Sequence, residues 1–169
     1  MAHWILTLML ALVPGSPYEG TFAATAAAID QAAHEAPLYP GEDGPARTAA
    51  QLVALAWFES RFDPKAVGDH GNSLGLFQVG VSNLASLGIE RDDLFDPKKA
   101  ADAALRMIRT SFVVCRVRPK EERLAHYAAG GPDCSKGGNE SRHRTALAAR
   151  LLRAHRVTWT EDASSASTL

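Results

Sequence analysis

The residues best suited to chemistry lie between Trp57 and Gly80, in the run WFESRFDPKAVGDHGNSLGLFQVG. Glu59 stands at the end of an apolar helical stretch. At 100° per residue, Leu52, Leu55, Ala56 and Glu59 fall on one stripe, so the carboxylate shares a face with core residues. Burial disfavours its ionised form and raises its pKa. A carboxylic acid kept protonated near neutral pH is what a general acid requires. Taken alone, the residue reads more simply as a helix-terminal Glu bonded to nearby backbone amides.

The neighbours of Glu59 change that balance. Ser60 follows directly, then a Gly/Asp/Asn-rich loop, then Gly75-Leu76-Phe77-Gln78, and later Leu124-Ala125-His126-Tyr127-Ala128-Ala129-Gly130. In this order they resemble the soluble lytic transglycosylase family, whose signatures are Glu-Ser, Gly-Leu-Met-Gln and Ala-Tyr-Asn-Ala-Gly. Two further segments match: Gln78 to Ile89, ending in Leu-Gly-Ile, and the Asp-Leu-Phe-Asp-Pro of Asp93 to Pro97, which precedes a helix. The likeness runs from about Arg47 to Gly131. The loop from Gly68 to Val79 is also similar to that of goose-type lysozymes, which share the fold and carry Gly-Asp-x-Gly-Asn before the Gln motif. Those enzymes add a second Asp two residues after the Gln; here that position is Gly80. Three other departures are Ala128 for the family's Asn, Phe77 for its Met, and Met107 for an aromatic on the following helix.

The resemblance implies an all-α, lysozyme-like domain with a central buried helix carrying the catalytic Glu. It implies peptidoglycan as substrate, cut between N-acetylmuramic acid and N-acetylglucosamine, with Glu59 as acid and then base and with 1,6-anhydro ends as product. Ser60 is expected to touch the reacting sugar or orient Glu59. Gln78 is expected to bind an acetamido or hydroxyl group, and Gly75 to let backbone approach the glycan. Asp69, Leu76, Phe77, Met107 and His126 are expected along the substrate cleft. Tyr127 is expected to bond Glu59 or the substrate, or else to sit in the core with its hydroxyl satisfied. Gln78 has a similar plain reading, a loop-bracing amide. No cofactor is implied, and the scattered His126, His143 and His155 argue against a metal site. Asp69 keeps a lysozyme-type hydrolase open, and Ala128 keeps open a non-catalytic wall-binding or virion module.

The rest of the chain fits a small helical enzyme. At 169 residues it is expected to form one domain, working as a monomer or within an envelope or virion assembly. The net charge of −1 creates no global field for nucleic acid or membrane. The charge is uneven, however: Arg106 to Arg156 holds twelve basic residues against four acidic ones. That suits either an anionic wall polymer or ordinary solvated helix faces. Residues 1–17 form an apolar N-terminal segment, read as a signal-peptide core or as a first helix, and ten apolar residues are too few to span a bilayer. Residues 18–156 are expected to hold the enzyme, with helices over Thr21–Glu35, Arg47–Ser60, Asn83–Leu87, Lys98–Val114, Glu121–Ala129 and Arg142–His155. Residues 157–169, rich in Ser and Thr, read as a disordered tail. A substrate outside the cytoplasm favours a Cys115–Cys134 disulfide over two buried thiols. Delivery to the envelope is expected by secretion or by a phage.

Overall fold

The helix that carries Glu59 organises the architecture. The computed structural model describes residues 1–131 and 133–166, with side chains through Ala154. In it, α3 spans Gly44–Ser60, with Pro45 in the first turn, where a missing N–H is no loss. Thr48 Oγ1 donates to the Gly44 carbonyl and accepts the Leu38 N–H, both at 2.8 Å, which ties the incoming loop to the helix. Every residue from Thr48 to Ala56 is buried. A helix apolar on nearly every side must be surrounded by protein. Here α1 (Ala2–Leu12), α2 (Glu19–Glu35) and α7 (Gly138–Ala166) enclose it.

The apolar N-terminal run forms α1, which packs on α2 and α3 with Ile5 and Met9 fully buried. The Ala2 N–H donates to Asp30 Oδ2 of α2 at 2.9 Å. No helix among the described residues is long and apolar enough to cross a membrane. The tail expected over 157–169 lies outside the residues described with side chains.

At its other end, α3 stops in two left-handed residues, Arg61 (φ 54°) and Phe62 (φ 67°). Such backbone is unfavourable for residues bearing a Cβ. Burial of Phe62 offsets it: the ring is fully buried and meets Phe22 edge-on, centroids 5.5 Å apart. The chain then enters a three-stranded antiparallel sheet, β1 (Val67–Gly68), β2 (Ser73–Leu74) and β3 (Val79–Gly80). Leu74 pairs with Val79, and both are fully buried, so one face of this sheet closes on the core. Two-residue strands are too short to show a period of two, which is why the sequence reads here as loop.

The short α4 (Leu84–Leu87) ends at Gly88, φ 62°. Asp96 caps α5 (Pro97–Val114) by accepting the Lys99 N–H at 2.9 Å, and α5 buries an Ala-rich face against α2. The helix expected over Glu121–Ala129 is two pieces, a 3₁₀ turn at Lys120–Glu122 and α6 (Ala125–Ala129). Two fully buried hydroxyls position α6. Ser111 Oγ donates to the Arg123 carbonyl (2.7 Å) and accepts the Tyr127 N–H (3.1 Å). Ser141 Oγ donates to the Glu121 carbonyl (2.7 Å) and accepts the Leu124 N–H (3.0 Å). Cys115 at the end of α5 is bridged to Cys134 beyond α6, Cα atoms 5.7 Å apart, within the ordinary disulfide range.

Candidate active site

Glu59 occupies the last turn of α3, with its side chain 16% exposed. Burial pushes its pKa up, and the charge of Asp69 adds to the rise. Its place near the helix C-terminus works in the same direction, because the macrodipole there disfavours an anion. The opposing influence comes from Arg144 on α7. Its Nε and Nη2 both donate to Glu59 Oε1, at 3.0 and 2.8 Å. This guanidinium holds the carboxyl down, but burial is the larger effect and the pKa stays raised. Oε2 accepts no hydrogen bond from a described residue, so it is the oxygen left to carry and deliver a proton.

Arg144 is a residue of this site that the motifs in the sequence do not single out. It is 9% exposed and also faces the Phe58 ring, 5.4 Å from guanidinium carbon to centroid. A signal did exist. Leu147, Ala148 and Leu151 follow Arg144 at offsets of three, four and seven and are all buried, so the arginine stands on the apolar stripe of α7. The argument that singled out Glu59 applies equally to it.

The Gly75–Gln78 segment is clamped between α3 and α6. Ser60 Oγ donates to the Leu76 carbonyl at 2.8 Å, with a longer 3.2 Å contact to the Ala56 carbonyl. Tyr127 Oη donates to the next carbonyl, that of Phe77, at 2.7 Å. Both hydroxyls thus donate to backbone carbonyls and neither to Glu59, which for Tyr127 matches the reading of a core residue with its hydroxyl satisfied. Burial, then the nearby Glu59 charge, pushes the Tyr127 phenol well above its ordinary pKa, so it stays a donor.

The side chains of Leu76 and Phe77, expected along the cleft, are fully buried. They belong to the core, and only their carbonyls serve the clamp. Gly75 is also explained by protein contact. A Cβ there would lie 1.9 Å from the Leu94 carbonyl oxygen, and the residue has φ +71°. The close backbone approach it permits is that of Leu94, where the glycan was expected. Gln78 adopts φ 47° and spends its Nε2 on the carbonyls of Gly75 (3.0 Å) and Ala66 (3.3 Å). Its amide braces the loop.

Asp69 is exposed at the tip of this loop, φ 50°, and its Oδ2 accepts from Ser73 Oγ at 2.6 Å. It is the second carboxylate felt by Glu59. Arg61, Phe62, Asp69, His70 and Gln78 are the non-glycine residues with positive φ among those described, and all lie between 61 and 78. Left-handed backbone held in place by surrounding structure concentrates at functional sites.

Met107 and His126 come together, lining a cavity of about 270 Å³ with Asn83, Ser86, Leu87, Arg106 and Thr110. His126 Nδ1 lies 2.6 Å from the Gly131 carbonyl, so that nitrogen carries the hydrogen. The Cβ of Ala128 lies 3.2 Å from the place a Cβ on Gly137 would occupy. Among the described residues, no group of His, Cys, Asp or Glu is arranged to hold a metal ion.

An acid in the last turn of an enclosed helix, next to the serine that clamps a Gly-Leu-Phe-Gln turn in a mostly helical domain, is the arrangement expected of a lysozyme-like domain. The chain matches the family model described as the transglycosylase SLT domain over residues 42–148. That span is more than half of the chain and includes Glu59, the sheet, α6 and Arg144. The chain therefore belongs to the transglycosylase SLT domain family, a class of enzymes that cleave peptidoglycan. No curated protein and no solved structure matches it.

Proposed function

We propose that the protein is a peptidoglycan lytic transglycosylase that uses Glu59 as its only acid and base. The observation that carries this reading is the carboxyl of Glu59, raised in pKa by burial and paired through one oxygen alone with Arg144. Glu59 Oε2 protonates the glycosidic oxygen between N-acetylmuramic acid and N-acetylglucosamine as the C–O bond breaks. The sugar's acetamido oxygen stabilises the oxocarbenium-like centre, the substrate-assisted alternative to a second carboxylate. Glu59, now anionic, takes the proton of the muramic 6-hydroxyl as that oxygen bonds to the anomeric carbon. The product is a 1,6-anhydro end, no water is consumed, and the acid is restored.

Arg144 gives this cycle its second half. Burial favours the protonated acid before reaction; the guanidinium favours the carboxylate formed as the proton leaves. An interaction that strengthens with developing charge lowers the barrier rather than only the ground state. The site of action is extracytoplasmic, where the polymer lies.

One observation favours a second reading. The charge of Asp69 reaches Glu59, and a carboxylate holding a water beside the anomeric carbon gives hydrolysis. Mass spectrometry of muropeptides released from purified sacculi separates the two. The transglycosylase product is lighter than the hydrolytic one by one water. Products that all carry ordinary reducing ends would replace the first reading with the second. With Asp69→Asn, anhydro products should persist at a modestly altered rate.

A further inference from the structure

A cavity of about 420 Å³ opens along the α3–α7 seam, and Glu59 is not among the residues lining it. Its walls are apolar, formed by Leu38, Ala50, Phe112, Ala148 and Leu152. Its volume falls in the range of small-molecule pockets, roughly 300–1,000 Å³. Two features distinguish it from a packing defect. Gln51 lines it and is only 2% exposed, yet its Nε2 has no hydrogen-bond partner. The Oε1 of the same amide accepts a long bond from Tyr39 Oη, 3.4 Å. A buried donor left unsatisfied is costly, and natural proteins rarely leave one without a use.

The second feature is charge. Arg47, Lys120 and Arg123 line the cavity, and no carboxylate does. Arg47 stacks on the Tyr39 ring at 4.3 Å and has Asp43 at 3.8 Å. Arg123 spends its Nε on the Arg118 carbonyl, which leaves both Nη groups to donate. Lys120 is exposed and makes no ion pair with a described residue.

We propose that this cavity is a binding site for a small amphipathic carboxylate, its apolar body between α3 and α7 and its head among Lys120, Arg123 and the Gln51 amide. Apolar walls select the body, the unpaired amide supplies a buried donor, and the cations select an anion over a neutral analogue. This assignment stands independently of the glycan chemistry at Glu59.

The test titrates the full chain with octanoate, octan-1-ol and acetate, using calorimetry and backbone amide NMR. Octanoate should bind saturably, with shifts at Ala50, Gln51, Ala148 and Ala149. Octanol should bind about tenfold more weakly, as expected from losing a charge-assisted hydrogen bond, and acetate not measurably. Lys120→Gln with Arg123→Gln, both on the accessible rim, should weaken octanoate about tenfold and leave octanol unchanged. Gln51→Leu should weaken octanoate while raising the melting temperature, because it removes the orphaned donor. Absence of saturable binding, equal affinity for octanol and octanoate, or shifts confined to residues outside the cavity would each overturn the assignment. So would octanoate binding that the double variant leaves unchanged.

Discussion

At the scale of single residues, Glu59 is held between burial and Arg144, and each can be removed separately. Glu59→Gln keeps the shape and an acceptor for Arg144 but deletes the proton donor. Activity on sacculi should fall about 10²- to 10⁴-fold, the usual share of general acid–base catalysis. The sequence by itself predicts a fold unchanged or improved, because a buried charge is lost. Arg144 supports that expectation: the Gln amide oxygen offers its guanidinium the same neutral acceptor as the protonated acid, so the melting temperature should change little. Thermal unfolding alongside turbidity clearing measures both effects, and full clearing by the folded variant would refute the assignment of Glu59.

Arg144→Met acts in the opposite sense on the proton. Removing a cation that favours the anion raises the pKa of Glu59 further, so the acid stays protonated to higher pH. The alkaline limb of the kcat/KM profile should therefore move to higher pH, while kcat falls. Stability follows the same sign. A carboxyl whose pKa is raised by folding adds stability that is complete below its unfolded pKa. That stability is lost as pH rises through the folded value. The variant should lose more stability between acid and neutral pH than the native protein. An unmoved alkaline limb would mean that another group sets it.

At the scale of elements, the clamp on residues 75–78 is the feature most open to test. Its hydrogen bonds come from Ser60 on α3 and Tyr127 on α6 and end on consecutive carbonyls. Ser60→Ala should cost about 1 kcal/mol, the net worth of one neutral hydrogen bond, and retain most activity if the hydroxyl only braces. Loss of kcat with little loss of stability would instead return Ser60 to the sugar. Gly75→Ala should be far more damaging. The added methyl meets the Leu94 carbonyl at 1.9 Å on a left-handed backbone, and the strain should amount to about 3 kcal/mol or more. A reduced melting temperature, with the acidic limb of the pH profile intact, is the expected result.

At the scale of the whole molecule, the Cys115–Cys134 bridge ties the end of α5 to the segment between α6 and α7. It closes a loop of sequence separation 19. On the chain-entropy account this contributes about 3 kcal/mol. The Cys115→Ser, Cys134→Ser double variant should unfold at correspondingly lower denaturant concentration, with an m-value at or above that of the bridged protein because its unfolded chain is less compact. Because α6 and α7 carry Tyr127 and Arg144, its activity should become more temperature-sensitive than that of the bridged protein. Equal denaturation midpoints for the two would show that the bridge restrains nothing in the unfolded chain.

The sequence alone determined the positions that are local or periodic. The stripe of Leu52, Leu55 and Ala56 placed Glu59 at the edge of a buried helix, and Asp96-Pro97 marked where α5 begins. The ordered motifs identified the family because each depends only on residue type and spacing. What tertiary structure decided is where those side chains point and what meets them. Leu76 and Phe77 turn into the core, Ser60 and Tyr127 bond carbonyls, and Gly75 makes room for Leu94, nineteen residues further along the chain. Arg144, eighty-five residues from Glu59, meets it only because α7 packs against α3. A sequence pattern states that a face is buried; it does not state which distant element covers it. The pairing of acid and guanidinium is a property of that packing, and so is the cavity beside it.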